Sequence, residues 1–307
     1  MNEFVRATVS VRVPATSANL GPGFDSYGLA LDLHDELSAT LAPELRIDVT
    51  GEGDTTLPRD ETHLVWQAMQ RLFAEVGVEP PGVHLVCHNK IPHGRGLGSS
   101  AAAIVAGLLL ARALLVETQV SDQRILELAS ELEGHPDNVA AALYGGFTLA
   151  WIDSQPVQGL PGGHGSAQAV RMEPFAALRV VVVVPETMLA TSRARAVLPA
   201  SVPHCDAVIN VARAGLLVEA LTRRPDLLLP ATFDRLHQEQ RREAYPETWR
   251  EVELLRDAGL AAVVSGAGPT VLVLSVEPIL ERVRELVGSG LDVRELGLDL
   301  TGARVGA

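Results

Sequence analysis

Lysine is almost missing from this chain. Of its 25 basic residues, all but Lys90 are arginine, a bias that GC-rich codon usage accounts for. Cysteine is scarce too. Cys87 and Cys205 form no C-x-x-C pair, which argues against a disulfide framework and against a zinc ribbon and fits a reducing cytoplasm. No apolar run approaches the ~18 uninterrupted residues of a membrane span. The strongest candidate, residues 101–116, is broken by Arg112. The first residues alternate as a strand does and lack the apolar block of a signal peptide. Basic residues are outnumbered by 38 acidic ones, for a net charge of −13. That balance excludes a general nucleic-acid or anionic-membrane surface, which requires a basic field. It leaves room for a small basic pocket.

What is present is globular. The 307 residues are 47% hydrophobic and 21% charged, enough for a sizeable core and one or two domains. Residues 4–13 alternate and predict a strand, followed by a turn-rich segment, PATSANLGPGFD, at 14–25. Strands are expected over 27–33, 36–41, 46–50, 83–88 and 147–152, and helices over 61–76, 99–115 and 136–143. Ser121 is a helix-capping residue for a periodic stretch through Ile125, Leu128 and Leu132, with Arg124 where a full capping box would place Glu or Gln. The Gly, Pro and Ser of 153–168 read as a linker or a mobile loop. Beyond it, strands are expected at 179–184, 261–265, 271–274 and 292–298, with helices near 187–197, 205–222, 247–258 and 279–287. This irregular order favours α+β over a regular βαβ rhythm.

The segment NKIPHGRGLGSSAAA, Asn89 to Ala103, carries the densest chemistry. Gly94, Gly96 and Gly98 let the backbone approach a ligand closely, and a helix N-terminus with open N–H groups follows. That combination suits phosphate. Ser99 and Ser100 add hydroxyl groups, and Lys90 and Arg95 add nearby positive charge. The bland alternative is a glycine-rich turn with a serine cap. Neither G-x-x-x-x-G-K-[ST] nor G-x-G-x-x-G occurs here, which disfavours the Walker-type and dinucleotide-binding loops.

Pro92 to Ala102 resembles, without a gap, the phosphate-loop motif PxxxGLGSSAA of the GHMP kinases. Two further segments resemble landmarks of that family in the right order, PATSANLGPGFD at 14–25 and SGAGPTV at 265–271. The first of these, together with EGHPDNVAAALYGG at 133–146, is similar to the homoserine kinase branch in particular. The resemblance implies a two-domain α+β GHMP kinase fold. A ribosomal S5-like ATP-binding domain would occupy residues 1–155 and a ferredoxin-like domain residues 156–307. It implies phosphorylation of the L-homoserine hydroxyl by ATP with Mg2+, a step toward threonine. The partner is then a small molecule, not nucleic acid or a membrane, and a homodimer is left open. Two rivals stand beside this reading: a GHMP kinase for another alcohol, and a catalytically silent sensor of nucleotide or amino acid.

The resemblance also assigns residues. ATP would contact Lys90, Pro92, His93, Gly94, Arg95, Gly96, Leu97, Gly98, Ser99, Ser100, Ala101 and Ala102. Homoserine would meet Asn19, Asp25, His135, Asn138, Thr191, Arg195 and Arg241, with Arg242 standing in for Arg241 if the register is off by one. Planar guanidinium groups suit its carboxylate, Asp25 its ammonium, and Asn19 the hydroxyl region. Each of these has a plain alternative, turn chemistry for Asn19 and Asp25 and a solvated helix face for either arginine. Mg2+ is assigned to Ser100, ahead of Ser99, and to Glu127, with Glu131 and Glu133 as competitors. Ser100, Glu127 and Asn138 form the expected catalytic group. Asp137 is the obvious carboxylate of the HPDN segment but is not assigned as a base, because phosphoryl transfer can run on positioning and charge stabilisation. His63 stands where relatives often carry asparagine near the adenine.

Overall fold

The computed structural model describes residues 4–5, 7–80, 82–117, 119–153 and 165–306. The chain opens with β1 (Val9–Ala18), β2 (Tyr27–Leu41) and β3 (Arg46–Gly51). Helix α1 (Leu64–Val76), β4 (Val83–Asn89), α2 (Ser99–Leu114), α3 (Asp122–Glu133), α4 (Asp137–Tyr144), β5 (Phe147–Asp153) and β6 (Ser166–Met172) follow. Then come β7 (Arg179–Val184), α5 (Thr191–Ala196), α6 (His204–Thr222), α7 (Leu228–Ala231) and α8 (Pro246–Asp257). The last elements are β8 (Ala261–Val264), β9 (Val271–Ser275), α9 (Leu280–Val287), β10 (Asp292–Leu296) and β11 (Arg304–Gly306).

The strands form two sheets. The first runs β11-β1-β2-β4-β3, with β5 and then β6 added on the β2 side. Its pairs are antiparallel except β3–β4, which α1 connects as a crossover. The second sheet is antiparallel throughout, in the order β10-β7-β9-β8. Numbered by its own strands that order is 4-1-3-2, the ferredoxin-like arrangement. Among the described residues no helix is long and apolar enough to cross a membrane.

Several elements depart from the sequence reading. The turn-rich segment begins only after Ala18, because Pro14 to Ala18 continue β1. The two strands expected at 27–33 and 36–41 are one, β2, whose pairing with β1 shifts register between Pro14 and Ala15. Proline has no N–H to give the ladder, so an irregularity is tolerated there. Ser166 to Gln168, read as linker, lie in β6 and pair with Trp151 to Asp153. The expected break at 155/156 falls outside the described residues.

Packing follows from patterning. Helix α2 is apolar on nearly every side, from Ala101 through Leu114, and is buried between the first sheet and its companion helices. A Cβ on Gly107 would lie 2.4 Å from the Val65 carbonyl, so the glycine sets the close approach of α2 to α1. Strand β7, RVVVVV, is buried on both faces. Val180, Val182 and Val184 join the large core shared with the first sheet and α6, while Val181 and Val183 join a second core under α8 and α9. The period-2 alternation of one strand thereby couples both cores. Ser121 caps α3, accepting from the Arg124 N–H at 3.2 Å.

The C-terminal segment returns to the first sheet and is clasped there by Asp299. One carboxylate oxygen accepts from His34 Nε2 at 2.6 Å, and the other from the N–H groups of Thr301 and Gly302, both at 2.7 Å. Burial alone would raise the Asp299 pKa, but these hydrogen bonds outweigh it and hold the carboxyl well below the usual carboxylate range. A depressed carboxylate stabilises the fold above its unfolded pKa, and that contribution is lost as pH falls toward the folded value. Asp299→Asn should therefore lower stability by about 2 kcal/mol at pH 7, the scale of lost hydrogen bonds to a charged group. In urea melts the gap between wild type and variant should narrow below about pH 4, near the unfolded carboxyl pKa. A gap that is constant with pH would show that charge at Asp299 contributes nothing.

Candidate active site

The loop between β4 and α2 is built by glycine. Gly94, Gly96 and Gly98 have φ of +63°, +77° and +71°, a region that side chains disfavour. The second requirement is space. A Cβ on Gly98 would lie 1.9 Å from Thr16 Oγ1, and one on Gly96 2.3 Å from the Ser265 carbonyl. The loop is thus pressed between the end of β1 and the turn from β8 to β9. Thr16 N donates to the Leu97 carbonyl at 3.0 Å, Thr270 N to that of Arg95 at 3.2 Å, and Ser265 Oγ to that of Gly96 at 2.5 Å. With these carbonyls engaged, the open N–H groups at the start of α2 face a cleft.

The cleft encloses about 150 Å3. One wall is the loop, through Gly94, Gly96, Gly98, Ser99 and Ser100. Opposite lie Gly266 to Gly268 of the SGAGPTV turn, and Leu189 to Thr191 at the start of α5. The floor is Glu133, His135, Asp137 and Asn138, between α3 and α4. At the far end stand Asn19, Asp25, Arg195 and Arg241. All seven residues expected around the small substrate therefore line one cleft.

The far end is strongly charged. Arg195 grips Asp25 with both nitrogens, Nη1 at 3.0 Å and Nη2 at 2.5 Å. This hydrogen bond raises the Arg195 pKa. Asp25 reaches that position through a left-handed backbone, φ +54°, held by its N–H donating to Asn19 Oδ1 at 2.9 Å. Asn19 is itself left-handed, and its Nδ2 donates to the Gly266 carbonyl at 2.8 Å. The Asn19 oxygen and one of its amide N–H groups are engaged by backbone, so it shapes the turn and holds Asp25 while still lining the cleft. Arg241 is 1% exposed and, among the described residues, has no carboxylate partner. Among the described residues its Nε has no acceptor. Burial lowers its pKa, and the like charge of Arg195 adds to the effect. Arg242, the alternative in the register, is exposed.

Several expected residues lie elsewhere. Glu127 lies six residues before Glu133 on α3 and is not among the residues lining the cleft. It bonds Arg124 at 2.8 Å and Gln123 at 3.1 Å beside a separate surface pocket with Ser130 and Glu131. Glu133, at the end of the helix, lines the cleft and accepts from Ser100 Oγ at 2.7 Å. Burial raises the Glu133 pKa, partly offset by that hydrogen bond. Lys90, the residue after β4, is exposed and reaches Glu36 at 3.3 Å. Arg95 also turns away, donating to the carbonyls of Pro185 and Glu186, both at 3.0 Å. Pro92 is buried, and the Leu97, Ala101 and Ala102 side chains belong to the core.

On the other side of Ser99 and Ser100 lies a second cavity of about 270 Å3, lined by Leu37, Leu57, Pro58, Leu64, Val65 and Ala103 with Asp35, His63 and His93. Among the described residues both ring nitrogens of His63 are buried without partners, and burial lowers the pKa of His63 and of His93. Burial pushes the Asp35 carboxyl up to about 6 against N–H donors from Ile91 and Lys90. On the cleft floor Asp137 accepts from His135 Nδ1 at 2.6 Å and from the Asn138 N–H at 2.7 Å. Burial opposes protonation of His135, but Asp137 outweighs it and raises the histidine pKa. Gly266 to Gly268 were absent from the expected contacts, although they stand inside a motif quoted above; Glu133 was expected only as a competitor of Glu127, and of the second cavity only single residues such as His63 and His93 were named.

Residues 63–146 match the family model of the GHMP kinases N terminal domain, and residues 216–288 that of the GHMP kinases C terminal. The chain is 53% identical over 305 residues to the homoserine kinase of Streptomyces avermitilis, covering 98% of this chain and 97% of that protein. It is 48% identical over 296 residues to the homoserine kinase of Rhodococcus opacus, covering 94% of each. The crystal structure of homoserine kinase from Cytophaga hutchinsonii superposes with a TM-score of 0.81 at 28% identity, covering 97% of both chains.

The loop geometry makes a graded prediction. Gly96→Ala meets backbone and must displace the turn at Ser265, whereas the Cβ of Gly94→Ala meets only the flexible Met188 side chain at 3.3 Å. Both pay the cost of a left-handed alanine, ~1 kcal/mol, and Gly96→Ala adds a clash of ~1–3 kcal/mol. Chemical denaturation should rank them in that order. Equal losses would show that the loop is not seated on the turn.

Proposed function

The chain belongs to the GHMP kinase family, and on that premise we propose that it is a homoserine kinase, converting ATP and L-homoserine to ADP and O-phospho-L-homoserine, a step toward threonine. The observation that carries this reading is the buried Arg241, a full positive charge without a carboxylate partner among the described residues, next to the Arg195–Asp25 pair. An unpaired buried charge is costly, and a ligand carboxylate would relieve the cost. An amino acid supplies that carboxylate together with an ammonium for Asp25. An alcohol without an ammonium would leave Asp25 unmatched.

ATP lies with its base in the cavity of His63 and His93 and its phosphates over Gly94 to Ser100. The glycine backbone and the N-terminus of α2 supply N–H donors at no side-chain cost. The homoserine hydroxyl then meets the γ-phosphorus above the cleft floor. Asn138 is oriented by its neighbours, since Thr16 Oγ1 donates to its Oδ1 at 2.8 Å and its Nδ2 donates to Asp137 Oδ1 at 3.4 Å, which leaves the second N–H of the amide for the substrate. The bond from hydroxyl oxygen to γ-phosphorus forms as the bond to the β-phosphate oxygen breaks, and the hydroxyl proton is released. Asp137 is 1% exposed and engaged by His135 and Asn138, which supports a mechanism led by positioning and charge stabilisation without a dedicated base.

Ser100 Oγ and Glu133 form an all-oxygen pair beside the phosphate loop, the donor chemistry a hard Mg2+ prefers. Among the described residues no cluster of three or more His, Cys, Asp or Glu would hold a metal alone. Two protein ligands suffice for an ion that keeps several waters and nucleotide oxygens. When bound, Mg2+ offsets the charge of the phosphates.

A panel of amino-acid and isoprenoid alcohols, each incubated with ATP and followed by 31P NMR, tests the reading directly. Homoserine should be phosphorylated well ahead of the rest, and an isoprenoid alcohol leading the panel would overturn it. Arg241→Lys keeps the charge but loses the planar fork, so KM for homoserine should rise about ten- to hundredfold, the equivalent of ~1.5–3 kcal/mol, with KM for ATP nearly unchanged. Glu133→Gln should lower kcat about a hundredfold, ~2.7 kcal/mol of barrier, whereas Glu127→Gln should leave it within a few-fold. The reverse order would return the metal to Glu127.

A further inference from the structure

Two guanidinium groups at one end of a small cleft repel each other, and something must fix their spacing. Arg195 has Asp25 for this, and Arg241 has no carboxylate partner among the described residues. The neighbours that Arg241 does have are the ring of Phe24, with the guanidinium carbon 5.0 Å from the centroid, and His237 Nδ1 at 3.5 Å. The Arg195 guanidinium lies over the same Phe24 ring at 5.5 Å. A phenyl face carries the negative part of its quadrupole and attracts cations, the more so when they are desolvated.

The ring is itself held in place. His237 stacks on it with centroids 4.8 Å apart and planes 25° from parallel. His237 Nε2 lies 2.7 Å from the Gly21 carbonyl, which only accepts, so the proton sits on Nε2 and Nδ1 presents a lone pair to Arg241. Asp234 fixes the backbone beneath, accepting from the N–H groups of His237 at 3.1 Å and Gln238 at 2.8 Å.

We propose that Phe24 is a positioning residue, an aromatic platform, backed by His237, that holds both guanidinium groups at the spacing required by the carboxylate of an amino-acid alcohol. This rests on the homoserine reading above. Phe24 acts through the arginines and touches neither the phosphates nor the second cavity, so its effect is confined to one substrate.

The test replaces Phe24 by leucine and, separately, by 4-fluoro- and 3,4,5-trifluorophenylalanine in the full chain. Fluorination drains the ring face while keeping the ring's shape, so it separates the quadrupole from packing and serves even if Phe24→Leu fails to fold. KM for homoserine should rise stepwise with fluorination and about tenfold in Phe24→Leu, the scale of a largely desolvated cation–π contact. KM for ATP should stay within twofold, and Phe24→Tyr should restore most of the affinity. A KM for homoserine that ignores fluorination, or a KM for ATP that moves in step with it, would overturn the proposal. Wild-type protein that turns over ATP with another alcohol but not with homoserine would instead overturn the functional reading, and this proposal with it.

Discussion

Everything at the cleft depends on a backbone contact too close for any side chain. Gly96 lies against the carbonyl of Ser265, and Gly98 against Thr16 Oγ1. The contact joins a loop of the first sheet to a turn of the second, and it closes hydrogen bonds between them through Ser265 Oγ and Thr270 N. With those carbonyls turned inward, the N–H groups of the loop and of α2 face the cleft. The same contact brings Gly266 within reach of Asn19, whose other end holds Asp25. One close approach thereby shapes both the anionic-ligand wall and the far end.

The second organising element is charge. A chain with a net charge of −13 concentrates two buried or half-buried arginines in a cleft of about 150 Å3. The overall negative field does nothing to attract an anionic nucleotide, so local geometry must supply the affinity: helix-terminal N–H groups at one end, guanidinium groups at the other. Glu133 and Asp137 on the floor keep the site from being uniformly positive. Each is satisfied by a neighbour, Ser100 in one case and His135 with Asn138 in the other.

The two sheets contribute unequally. The first holds the loop, the cleft floor and the turn with Asn19 and Asp25. The second, with its connecting helices, brings Thr191, Arg195, Arg241 and the Gly266–Gly268 wall. The burial of β7 on both faces makes these parts one packed body, since alternate valines enter different cores. Site residues far apart in the chain thus meet on a scaffold that resists their mutual repulsion.

The local elements were legible because their signals are local. Period-2 alternation marked β1, period-3.6 patterning marked α1 and α3, and glycines at alternate positions marked the loop. The motif residues Asn19, Asp25, His135, Asn138, Thr191, Arg195 and Arg241 were named from sequence and line one cleft. Facing was not legible. Glu127 and Glu133 share a helix, but six residues turn the side chain by about 240°, and only packing against α2 decides which glutamate meets Ser100. Lys90 and Arg95 stand beside the glycines in sequence, yet the chain's path after β4 sends one to Glu36 and the other to Pro185 and Glu186. Phe24 is an ordinary turn residue until residues 195, 237 and 241 converge on it from the other end of the chain. Sequence determined the elements and the chemical inventory, because these follow from neighbours along the chain. Tertiary structure alone decided which groups share a cavity and which charges go unpaired, because those depend on distances that no spacing along the chain encodes.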